Sequence, residues 1–199
     1  MTKPTKEQLI VKPSAENLAA AARAAGKKGP PPVHLWNPPF CGDLDMEIRR
    51  DGTWFYLGTP IGRHGLVKLF SSIIRKDGED YFLVTPVEKV GIRVVDAPFV
   101  AVDAEASGAG RDQVLTFTTN VEDVVTAGPD HPIRVARDPA TGEPSPYVLV
   151  RANLEALIDR KTFYRLIELG AHEEREGTSW FGLWSGGAFF PVIPSAELG

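Results

Sequence analysis

The chain has 199 residues, 22 Lys and Arg against 26 Asp and Glu, a formal charge of −4, and 43% hydrophobic residues. That apolar share supports a packed core and excludes wholesale disorder, and the length fits one large domain or two small ones. No apolar run approaches the ~20 residues that span a bilayer, so no membrane association is expected.

The first thirty residues hold no signal-peptide apolar block, and the single cysteine, Cys41, has no internal disulfide partner. Both features point to a cytoplasmic protein. Charge is unevenly placed: residues 1–32 carry net +4, leaving −8 on the rest. An acidic body argues against nucleic acid as a partner, because phosphate binding needs clustered Lys and Arg.

Residues 1–32 form the first expected segment, a helical or flexible N-terminal arm. Thr5 with Gln8 matches a capping box, Ser14 can cap the alanine-rich run Ala15 to Ala25, and Gly26 can stop it. With Leu18 as its one large apolar residue, this helix is expected to be weakly anchored. Five prolines between Pro30 and Pro39 then exclude helix or central strand and favour a stiff strap over the body.

A first β-rich unit is expected over 33–103. Leu44, Met46 and Ile48 alternate with Asp43, Asp45 and Glu47, the period-two pattern of a strand buried on one face. Asp51-Gly52 is a hairpin turn before Trp54 to Leu57. A glycine-rich loop, Gly58 to Gly65, leads into a helix carrying Leu66, Leu69, Phe70, Ile73 and Ile74 on one side. Strands are predicted at Tyr81–Thr85, near Val90–Val95, and at Phe99–Asp103, followed by a polar loop over 104–113.

A second β-rich unit, 114–199, is expected to pack on the first. Strands are predicted at Val114–Thr118, Ile133–Val135 and Tyr147–Val150. Asn153 is placed as the cap of a helix reaching about Leu169, and the chain ends in the hairpin Trp180–Ile193 around Ser185-Gly186-Gly187. The units read as copies: a shift of 93 residues lays Trp54–Leu57 on Tyr147–Val150 and Phe70 on Phe163, and a shift of 99 lays Tyr81-Phe82 on Trp180-Phe181. The fold class is therefore α+β, a duplicated β-rich motif with one packed helix in each copy.

Several stretches, taken in this order, resemble one family. They are 31–43 (Pro-Pro-Val-His-Leu-Trp-Asn-Pro-Pro-Phe-Cys-Gly-Asp), 51–56 (Asp-Gly-Thr-Trp-Phe-Tyr) and 83–89 (Leu-Val-Thr-Pro-Val-Glu-Lys). Asp-Ala-Pro-Phe at 96–99, Thr-Asn at 119–120 and Pro-Tyr-Val-Leu-Val-Arg at 146–151 continue the match. Together they look like the bacterial family called domain of unknown function 1285. The resemblance implies an α+β fold of repeated motifs and a role in signal transduction, and it brings no catalytic residues to carry over.

The chemistry-bearing motifs are sparse. The histidines His34, His64, His131 and His172 have no metal-ligand spacing, and neither a Walker loop nor a dinucleotide fingerprint occurs, so no cofactor and no metal are expected. The leading reading is a non-enzymatic module for small-molecule binding or signal transduction. Its site is placed at Gly62, Arg63, His64 and Gly65, where close backbone approach, free helix-start amides and a guanidinium favour an anion. The alternative is a small hydrolase-like enzyme using Asp43 and Asp45 with His64 or His131 for acid–base work. A protein partner or a second copy of the chain stays open.

Overall fold

A computed structural model of the chain describes residues 12–26 and 29–198. The Thr5–Gln8 capping box lies outside them. Helix α1 spans Ala15–Ala25, and Ser14 caps it by accepting from the Asn17 amide at 3.2 Å. Its buried positions, Ala15, Leu18, Ala19 and Ala22, follow the i, i+3, i+4, i+7 stripe of a packed helix. The arm is more firmly held than its composition suggests. Its alanines allow close approach to the next helix, so one leucine with its small neighbours suffices to join the core.

The proline strap contains a single 3₁₀ turn, Val33–Leu35, and is tied down by Arg75, whose Nη1 donates to the Val33 and Trp36 carbonyls at 3.0 and 2.7 Å. Then come β1 (Phe40–Ile48), β2 (Trp54–Tyr56), β3 (Thr59–Pro60), helix α2 (His64–Ser71), β4 (Ile74–Asp77), β5 (Asp80–Val84) and β6 (Lys89–Val94). They form one six-stranded sheet in the order β3-β2-β1-β6-β5-β4, with β1 and β6 parallel. Leu44, Met46 and Ile48 are buried while Asp43 and Asp45 are exposed, as the alternation requires. Ile73 and Ile74 are also buried, yet both follow α2, and Ile74 opens β4.

The second half comprises β7 (Phe99–Ser107), β8 (Val114–Thr119), β9 (Val124–Thr126), β10 (Ile133–Arg137), β11 (Pro144–Arg151), β12 (Leu154–Ile158), α3 (Arg160–Ile167), β13 (Ala171–Arg175), β14 (Thr178–Ser185) and β15 (Ala188–Pro194). A second six-stranded sheet has the order β10-β11-β12-β7-β8-β9, and β13-β14-β15 form a three-stranded meander. Two expectations change here. Strand β7 runs on to Ser107, through part of the expected polar loop, and it pairs within the second sheet through β12 and β8. Asn153 does not cap a helix: Leu154–Ile158 is a strand with Leu154, Ala156 and Ile158 buried, and Asp159 caps α3 by accepting from the Thr162 amide at 2.7 Å. The apolar positions 154, 157 and 158 fit a helical period and 154, 156 and 158 a strand period, and pairing with β11 and β7 decides for strand.

The repeated motif is visible in the element order. A strand, a hairpin, a helix and a three-stranded meander occur as β1, β2-β3, α2, β4-β5-β6 and again as β10, β11-β12, α3, β13-β14-β15. The helices start at His64 and Arg160, 96 residues apart rather than 93, which matches buried Val67 to Phe163 and buried Phe70 to Leu166. The copies differ in closure. Strand β6 forms a ladder beside β1, whereas β15 lies against β10 without a ladder, so the second meander remains a separate sheet. At the other side of the hairpin β12 takes up β7, whereas its counterpart β3 ends the first sheet. Each helix packs its apolar stripe inward, and the Trp54 and Phe70 rings stack 6.3 Å apart at the centre of the first half.

Candidate functional site

The tight β11–β12 turn places three consecutive residues against the first half. Ala152 takes a left-handed conformation (φ 49°), as Leu57 does (φ 50°) in the matching β2–β3 turn. That geometry aims Arg151 and Asn153 across the contact: Arg151 Nη2 donates to the Ser71 carbonyl at 2.6 Å, and Asn153 Nδ2 donates to the Lys76 carbonyl at 3.1 Å. Arg151 also pairs with Asp123 and lies over the Phe99 ring, 4.7 Å from its centroid. One guanidinium thus joins the end of α2 to the second sheet, and cationic donors near a helix C-terminus satisfy its unpaired carbonyls.

Beneath this bridge lies a cleft of about 500 Å³, walled by the strap (Pro31, Val33, His34), by α2 and β4 (Lys68, Ser72, Ile74, Arg75), and by the second half (Val121, Asp123, Arg151, Leu154). The walls are mostly apolar, with three cationic side chains and one carboxylate among them. Arg75 is committed to the strap carbonyls and to Asp77, whose carboxyl it holds below the usual range, with Lys89 assisting. Lys68 pairs with Glu122, lowering that carboxyl's pKa together with His64. An ammonium has three donors, and Glu122 accepts one from Lys68, so a cleft occupant can accept another.

The residues singled out from the sequence are spread around this region. Gly62–Gly65 stands at the opposite end of α2 from Ser71 and Ser72. Arg63 and Gly65 border a hollow beside α1, close to Glu16 and Arg23, while the His64 Nε2 lies 3.1 Å from Glu122 Oε1. Asp45 pairs with Arg93 on the exposed face of the first sheet, and the neighbouring Asp43 carboxylate sits over Gly91. His131 Nδ1 lies 3.0 Å from the Leu149 carbonyl. The structure therefore draws Asp43, Asp45, His64 and His131 into separate local networks. Among the described residues no three His, Cys, Asp or Glu side chains come together as a metal site, and no helix is long and apolar enough to cross a membrane.

Sequence reasoning missed Arg151 and Asp123, and it gave Asn153 a capping role in place of its bond to Lys76. The partners of Arg151, Ser71 and Asp123, lie 80 and 28 residues upstream, and Lys76, the partner of Asn153, lies 77 upstream, so no local pattern marks them.

Comparison with known proteins bears on the whole body. Residues 31–97 match the model of the N-terminal domain of unknown function DUF1285, and residues 98–192 match the DUF1285 C-terminal domain. A crystal structure of a DUF1285 family protein from Silicibacter pomeroyi DSS-3 is 66% identical, covers 91% of this chain and 97% of its own, and superposes with a TM-score of 0.82. A second, from Shewanella baltica OS155, is 28% identical over 63% of this chain and 91% of its own, with a TM-score of 0.50. No curated protein matches the chain. The two domain models together span most of the sequence, and the chain belongs to the DUF1285 family.

Proposed function

We propose that this protein is a binding module for a small amphipathic carboxylate, held in the cleft between the two halves, and that occupancy tightens the tie between them. The observation that carries this reading is the cleft itself, built from both halves and the strap and spanned by Arg151. Its apolar walls, Val33, Ile74, Val121 and Leu154, suit a short hydrocarbon body. Lys68 and Arg151 supply the cationic end, a pairing of mostly apolar wall with few oriented polar groups that is common in ligand sites. A ligand touching both halves couples binding to their relative position, the property a signalling module requires.

The test is a melting-temperature series with straight-chain carboxylates of increasing length, each paired with the matching alcohol and amine. A ligand at a hundredfold excess over its Kd stabilises by about 2.7 kcal/mol, which raises the melting temperature several degrees in a domain of this size. The carboxylates should stabilise most, and Leu154→Trp, which fills the cleft, should remove the effect. Equal shifts for all three headgroups, or an undiminished shift in Leu154→Trp, would overturn the reading.

A further inference from the structure

We propose that a separate trough, formed where the β1–β2 turn meets α3 and the ends of β7 and β11, docks a basic segment of a partner protein that carries an apolar anchor residue. The trough encloses about 700 Å³. Its floor joins Phe163 to Val102 and Tyr164, which are 43% and 62% exposed. Single exposed apolar residues are ordinary, but these are contiguous and line one depression.

Charge complementarity selects the occupant. Asp51, Asp138 and Asp159 border the floor, and among the described residues none of the three has a basic side chain within ion-pair distance. Each is instead held by backbone amides, from Thr53, from Ala140 and Thr141, and from Thr162 respectively. Those bonds fix the carboxylates in place with no side-chain cation paired to any of them. The cations on the same border are already engaged: Arg50 with Ser145 and Asp96, and Arg160 with Glu143. An incoming anion would meet cations already paired and three carboxylates that repel it, whereas lysine or arginine side chains would meet those three carboxylates, on three separate elements and with no side-chain cation paired to them. Such spacing suits a chain bearing several cations around an apolar side chain, and hot-spot anchors of that kind dominate docking energies.

The experiment uses a fluorescein-labelled peptide, acetyl-Lys-Leu-Arg-Phe-Lys-amide, and a twin with glutamate at the three basic positions, followed by anisotropy on the full chain. The basic peptide should bind saturably, and raising salt from about 50 to 300 mM should weaken it strongly. The pair Asp51→Asn and Asp138→Asn keeps the acceptor oxygens that hold the turns, and Tyr164→Ala removes an exposed ring. Each should weaken binding at least about tenfold, or ~1.4 kcal/mol, with melting temperatures near that of the parent. Three results would overturn the proposal: no saturation up to about 1 mM peptide, equal binding of the acidic twin, or dimerisation without peptide that Tyr164→Ala abolishes. The last would assign the trough to a second copy of the chain.

Discussion

Arg151 donates from its Nη2 to the Ser71 carbonyl at 2.6 Å while pairing with Asp123, so a residue of the second sheet closes the last turn of the first half's helix. Asn153 adds a neutral bond to Lys76 beside it. Beside the Lys68–Glu122 and Arg50–Ser145 contacts, the halves are thus joined by a short turn whose every residue is used: Arg151 and Asn153 reach across, and Ala152 supplies the left-handed backbone that splays them.

Arg151→Ala should destabilise the fold by about 1–2 kcal/mol, the lower part of the range for hydrogen bonds to charged groups, since the side chain is partly solvated. Urea unfolding checks it. Arg151→Lys should recover only part of the loss, because one ammonium cannot hold the fork that meets both Ser71 and Asp123. A parent-like midpoint in Arg151→Ala would show that the bonds to Ser71 and Asp123 add nothing to the tie between the halves.

The core makes a second demand. Phe70 is fully buried against Trp54, and Phe163 occupies the place in α3 that Val67 holds in α2. Phe70→Ala and Phe163→Ala should each cost about 3–5 kcal/mol by lost transfer energy and residual cavity. If either variant melts with the parent, that helix face is packed differently.

These cases show which parts of the molecule could be read from the chain. The alternation at Leu44, Met46 and Ile48, the Asp51-Gly52 turn and the Ser14 cap are local signals, and the structure follows them. The repeat was legible because buried positions recur, but its offset was misjudged: Leu154-Glu155-Ala156-Leu157-Ile158 satisfies both strand and helix periodicities, and only ladders to β11 and β7 decide. The cleft left no local trace, since Val33, Lys68, Val121 and Arg151 converge from four distant segments. The exposed groups Asp45 and His64 found partners, Arg93 and Glu122, that are also remote in sequence.

Asp159→Ala should cost α3 about 1 kcal/mol, because the carboxylate satisfies the Thr162 amide at the helix start. Thermal melts of Asp159→Ala and Asp159→Asn separate capping from charge: the asparagine variant should keep most of the stability. Equal losses in both would point to the carboxylate's charge instead.

Glycine positions offer a comparison between two strands. A Cβ at Gly182 would sit 2.3 Å from the Phe190 carbonyl oxygen and 2.9 Å from Pro191 Cα, so backbone must move. At Gly91 the nearest atom, 2.1 Å away, is the end of the exposed Asp43 side chain, which can turn aside. Gly182→Ala should therefore lower the melting temperature by several degrees while Gly91→Ala changes it little, since glycine inside a strand is itself costly. The reverse order would mean that β14 and β15 can separate at no cost, against their close pairing.

Tyr147 sets the alkaline limit. Its hydroxyl donates to Asp96 Oδ1 at 2.7 Å, and the Arg134 guanidinium lies 4.2 Å from its ring centroid. Burial first, and the Asp96 bond second, push its pKa up to about 12. The unfolded chain releases that proton near pH 10. A folded pKa above the unfolded one means that the neutral phenol stabilises the fold fully below about pH 10 and that this contribution fades as the pH rises toward 12. Tyr147→Phe removes both the proton and the bond to Asp96, so it should be less stable than the parent at neutral pH by about 1 kcal/mol. The two stability curves, from urea unfolding at successive pH values, should then converge as the parent loses its advantage above pH 10. Parallel curves across that interval would show that Tyr147 titrates alike in the folded and unfolded chains.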